Sequence, residues 1–133
     1  MSYLSNQFFG RVLSSNVAKW GSWIEELVVV ILFAPLLETL LFQVATYAFF
    51  KRLIKDLKLP ECQIELLFLF FSSLLFAFFH QYNWLYMIYA FLGALSLNGS
   101  YLYFLREKFY PYLGVALIHL LYNGMVFVLH RFG

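Results

Sequence analysis

Charged side chains are scarce in this chain. Asp, Glu, Lys and Arg make up 12% of its 133 residues, about half of the roughly 25% usual in a soluble domain. Net charge is only +2. No basic tail or interleaved basic patch occurs, which excludes a nucleic-acid-binding protein. The single cysteine, Cys62, excludes an intrachain disulfide; it reads as a small apolar residue near a helix start. The hydrophobic runs lack any alternation of period two, which argues against a β-barrel. There is no Gly-x-Ser-x-Gly elbow and no His-Glu-x-x-His pair, so two common hydrolase signatures are missing. Low-complexity tracts and long linkers are missing too.

Apolar residues are abundant, at 63%, with 23% aromatic. A soluble chain this short could not hide so much apolar surface, because the buried fraction falls with length. In a bilayer the outside may be apolar as well. Four runs are long enough or nearly so, given that about 20 apolar residues span the hydrocarbon layer. They lie at about 24–50, 64–80, 84–105 and 112–129. Trp20 and Trp23 precede the first, as aromatic-belt residues do. Pro35 should kink it, and Lys51, Arg52, Lys55 and Lys58 follow it. The expected fold is all-α: a polytopic membrane bundle of about four transmembrane helices. Short connections make sequence neighbours antiparallel.

Residues 1–23 form a separate segment ahead of the transmembrane domain at 24–133. They lack the apolar core and cleavage site of a signal peptide. Tyr3, Leu4, Phe8, Phe9, Val12 and Leu13 share one helical face, which fits an interfacial amphipathic helix; a polar tail is the alternative. Basic residues also divide unevenly. Lys51, Arg52, Lys55, Lys58, Arg106 and Lys108 lie on one side, and Arg11, Lys19 and Arg131 on the other. The first side is therefore the expected cytoplasmic one.

Several polar residues fall at membrane depth. An ionised acid at mid-helix costs on the order of 2.5–3.5 kcal/mol on insertion scales, so such groups tend to face the interior and to mark sites. Glu38 lies inside the first run, where a neutral Gln would bridge helices at lower cost. Thr39 and Gln43, four apart, share a face and read first as interhelical hydrogen-bonding residues. His80 ends the second run, with Phe76 one turn below to pack on its ring. His119 and Asn123, also four apart, share a face of the fourth run. Asn98 in the third run reads as another interhelical link, and Ala90 with Ala94 as a close-packing pair.

A carboxylate, two imidazoles and a carboxamide make a workable hydrolytic set. Amide hydrolysis needs a base to activate water and donors for the developing oxyanion. Two His and one Glu with a water are also a common catalytic zinc shell. Glu38, His80 and His119 could hold such a divalent metal, although metal-free hydrolysis needs no cofactor.

The order Glu-x-x-x-x-Gln, Phe-x-x-x-His and His-x-x-x-Asn on successive membrane helices resembles the CPBP intramembrane proteases. These include the type II CAAX prenyl endopeptidases and bacteriocin-processing or self-immunity proteins. The likeness runs over about 30–127. It implies that Glu38 and His80 activate water, that His119 and Asn123 form the oxyanion hole, and that Thr39, Gln43 and Phe76 support them. The implied substrate is a membrane-associated peptide, prenylated or small and hydrophobic, and the implied setting is a bacterial cytoplasmic membrane. The family's first motif is usually Glu-Glu-x-x-x-Arg after Ala-Pro. Here Ala34-Pro35 and Glu38 are kept, while Thr39 and Gln43 replace the second Glu and the Arg. That departure leaves open a catalytically inactive binding or immunity protein, or a subunit whose polar residues only join helices. Many family members have six to eight spans, so an oligomer or a partner membrane protein could supply further helices.

Overall fold

The computed structural model describes residues 23–81 and 83–132. Every regular element among them is helical. The interfacial helix expected over 1–23 lies outside the described residues, Trp23 excepted.

Helix α1 is continuous through Trp23–Leu27, Val28–Phe33, Ala34–Glu38, Thr39–Ala45 and Thr46–Ile54. Helices α2, α3 and α4 are Glu61–Phe79, Trp84–Arg106 and Pro111–Phe132. Among the described residues, four helices are thus long and apolar enough to cross a membrane. Only 22–28% of each span is buried. Phe33, Phe79 and Leu121 are more than 60% exposed, which is untenable in water over so much surface and ordinary in lipid.

The boundaries follow from local chemistry. α1 does not stop at the first basic residue but continues to Ile54, which is buried. Lys51 turns aside to pair with Glu61 at 3.0 Å, its stem lying along the helix. Lys58, left-handed at φ 49°, and Pro60 then end the segment. α2 starts earlier than its apolar run suggests, because the Pro60 carbonyl accepts from Gln63 at 2.9 Å and Glu61 sits in the favourable first turn. α3 is capped by Asn83, whose Oδ1 accepts from Tyr86 N–H at 2.8 Å. Its far end is a Schellman turn on Lys108, with Phe109 N–H donating to Phe104 C=O at 3.0 Å.

Pro35 shapes α1 in a specific way. The stretches Val28–Phe33 and Thr39–Ala45 have π-type geometry, in which each N–H reaches five residues back rather than four. Between them φ and ψ stay helical, −61° and −52° at Ala34 and −61° and −41° at Thr39. So the chain absorbs the proline by widening its turns.

The interior holds two apolar clusters. Tyr47, Phe68, Leu97, Tyr101, Leu102 and Val115 pack at one level. Phe42, Phe76 and Ala94 pack at the other, with Ala90 beside them, which places the small Ala90/Ala94 pair against two rings. Helices α3 and α4 approach closely at Gly114. A Cβ there would lie 2.7 Å from the Phe104 ring, and that ring is itself held against Phe109, centroids 5.5 Å apart. Gly114→Ala is therefore expected to cost about 1–3 kcal/mol by overpacking. Unfolding in mixed micelles would measure it, and an unchanged midpoint would show that Phe104 yields freely.

Candidate active site

Glu38, His80 and His119 come from three helices and meet at the end of the bundle where α2 passes into α3. Glu38 closes the short α-helical stretch after Pro35. Its Oε1 lies 3.9 Å from His80 Nε2 and its Oε2 lies 3.4 Å from His119 Nε2. The Glu38 side chain is 24% exposed, that of His80 16% and that of His119 6%. The carboxylate thus has an open side, with one imidazole at the rim and one in the interior.

His80 is held in one tautomer. It is the residue after α2, with φ −109° and ψ 36°, and its backbone N–H donates to Ala77 C=O at 3.0 Å. Its Nδ1 lies 2.8 Å from the Phe76 carbonyl. A carbonyl only accepts, so Nδ1 carries the proton. When the ring is neutral, the Nε2 lone pair therefore faces Glu38. A neutral imidazole is the form able to accept a proton. The expected stacking on Phe76 is present, with centroids 4.2 Å apart and planes at 18°. Tyr86 lies on the α3 side at 6.2 Å.

His119 is buried, and among the described residues its Nδ1 has no hydrogen-bond partner. Placing its proton on Nε2 leaves only a lone pair unpaired, whereas the other tautomer would bury an unpaired N–H. The favoured tautomer therefore presents a donor toward Glu38.

Asn123 shares a face with His119 but its amide is turned to α1, where Nδ2 donates to the Val30 carbonyl at 3.0 Å. Thr39 and Gln43 lie fully buried on the other side of α1. Gln43 Nε2 donates to Asn98 Oδ1 at 2.8 Å, and Asn98 Nδ2 donates to Ser73 Oγ at 2.9 Å. Ser72 Oγ donates to the Phe42 carbonyl, and Asn98 Oδ1 lies 3.5 Å away. Gln43 and Asn98 thus do join helices, as the sequence suggests. Among the described residues, Thr39 Oγ1 and Gln43 Oε1 have no hydrogen-bond partner. Sequence reading does not single out Ser72 and Ser73. The available signal was the spacing of four that puts Ser72, Phe76 and His80 on one stripe of α2.

Among the described residues, no three His, Cys, Asp or Glu side chains form a group that could hold a metal ion. Both Nε2 atoms instead face the two oxygens of one carboxylate. Every step proposed for this cluster is carried by these side chains and water.

A family model described as type II CAAX prenyl endopeptidase Rce1-like matches residues 20–125. No curated protein and no solved structure matches the chain.

Proposed function

The chain belongs to the Rce1-like type II CAAX prenyl endopeptidase family, and from that premise we propose that it hydrolyses a peptide bond at the bilayer surface with water activated by Glu38 and His80. It is an integral membrane protein of a protease family, so the bilayer and a peptide are its expected surroundings and substrate. The observation that carries the finer reading is the convergence of Glu38, His80 and His119, with nitrogen–oxygen separations of 3.9 and 3.4 Å.

A gap of 3.9 Å between Glu38 Oε1 and His80 Nε2 is too long for a direct hydrogen bond. It suits a water bound to both. That water attacks the scissile carbonyl carbon and passes its proton to the Glu38/His80 pair. His119 Nε2–H donates to the oxyanion as it forms. The C–N bond then breaks, and the pair returns the proton to the leaving amine. The proposed substrate is a membrane-associated peptide or protein, prenylated or small and hydrophobic, presented at the rim where His80 sits.

The test is cleavage in proteoliposomes of a farnesylated peptide and of an unmodified hydrophobic one, followed by mass spectrometry. Release of a C-terminal fragment is expected, at a rate unaffected by 1,10-phenanthroline. No cleavage of either peptide above empty liposomes would sink the enzymatic reading. Inhibition that zinc reverses would sink the metal-free one.

A further inference from the structure

Asn123 stands one helical turn from His119, and its carboxamide is committed to the backbone of α1. The reason lies in the residues around Pro35. The Ala34 N–H donates to the Val29 carbonyl, five residues back. In that register the next donor, at position 35, would serve Val30. Proline has no N–H. In the ordinary α register Val30 would instead be served by Ala34, which is already bonded to Val29. Val30 C=O is therefore left without a ladder donor by either route, and an unpaired carbonyl in hydrocarbon is costly. Asn123 Nδ2 reaches it at 3.0 Å.

We infer that Asn123 is a positioning residue: it caps the carbonyl that Pro35 orphans and thereby fixes α4, and with it His119, against the helix that carries Glu38. This rests on the proposed role of His119 beside Glu38. Two features make the link directional. Val30 lies eight residues before Glu38, and Asn123 lies four after His119, so the bond ties both helices one to two turns from the cluster. A second α1–α4 bond, from Tyr112 OH to the Leu36 carbonyl at 3.3 Å, is made two residues before Glu38 on α1 and seven before His119 on α4. Together they restrain α4 against sliding along α1, a motion that would change the 3.4 Å His119–Glu38 separation. A misplacement of about 1 Å can cost on the order of 100-fold in rate.

The inference separates from a direct role in oxyanion binding through Pro35. In Pro35→Ala, position 35 regains an N–H. Val30 C=O then has a backbone donor, from position 35 in the π register or from Ala34 if the helix relaxes to α. Asn123→Ala should lower kcat/KM by roughly 10–100-fold with Pro35 in place, and by less than about threefold in the Pro35→Ala background, a coupling that a double-mutant cycle reads directly. An equal loss in both backgrounds would mean that Asn123 meets the substrate and would overturn the inference.

A second measurement needs neither turnover nor the proline variant. Val30-Ile31 is the only Val-Ile step in the sequence. Labelling with carbonyl-13C valine and 15N isoleucine therefore isolates the Val30 carbonyl in an NMR spectrum of the full chain in micelles. Asn123→Ala should move that resonance upfield, as expected on loss of a hydrogen-bond donor. An unmoved resonance would overturn the inference even where cleavage is normal. A moved one supports it even if no substrate is cleaved.

Discussion

Glu38→Gln should lower kcat/KM for peptide cleavage by roughly 10²–10⁴-fold, the range usual for a removed general base, while leaving the fold intact. Glutamine matches glutamate in size and can still lie beside the two imidazoles, whose Nε2 atoms are 3.9 and 3.4 Å from the carboxylate. It cannot take a proton from water at neutral pH. Stability should hold, because a neutral amide is easier to keep in an apolar layer than an acid. The check pairs a cleavage assay with thermal unfolding of the same sample. Activity within about threefold of wild type would remove Glu38 from the chemistry, since a general base contributes far more than that. Lost activity together with a lost unfolding transition would instead make Glu38 a structural residue.

Asn98→Leu should be the most damaging change to stability, at about 2–4 kcal/mol. Polar contacts between membrane helices average only about 0.6 kcal/mol each, so a single lost bond would not matter much. Asn98, however, is the hub of three helices. It accepts from Gln43 of α1 and donates to Ser73 of α2, at 2.8 and 2.9 Å, and all three side chains are fully buried. Substitution strands a carboxamide N–H and a hydroxyl at once, each costing about 1–3 kcal/mol when left unpaired. The companion variant Gln43→Leu/Asn98→Leu removes one of the stranded groups and should recover part of the loss. Denaturant titration in mixed micelles measures both. A loss below about 0.5 kcal/mol, the range of an ordinary surface substitution, would show that the network does not hold the helices.

Much of this architecture is legible from the amino-acid sequence because membrane spans are set by length and apolarity alone. All four helices fall where the runs lie, and their ends moved only where a local group intervened. Lys51 could lean toward Glu61 and let α1 continue, and Pro60 with Glu61 could start α2 early. Glu38, His80 and His119 were also legible, since polar side chains at membrane depth are rare enough to be conspicuous. The direction of Asn123 was not. Its partner is a main-chain carbonyl, which has no letter in the sequence, and it is orphaned only by the combination of Pro35 with a π register that a hydropathy pattern does not encode. Thr39 and Gln43 illustrate the same limit. Their spacing gives a shared face, and it needed the packed helices to show that Gln43 finds Asn98 while the Thr39 hydroxyl finds no partner among the described residues.

The buried polar hub joins α1, α2 and α3 and, among the described residues, includes no side chain of α4. Helix α4 is bonded to α1 through Asn123 and Tyr112, each reaching a backbone carbonyl. During synthesis the first three helices can therefore associate as a frame, with Glu38 and His80 already in place, before the ribosome has made His119. In that interval the Glu38 carboxylate has one imidazole beside it and lacks the donor that the proposed mechanism assigns to His119. On the proposed mechanism, a centre assembled in this order stays incomplete during synthesis and is completed only when α4 docks.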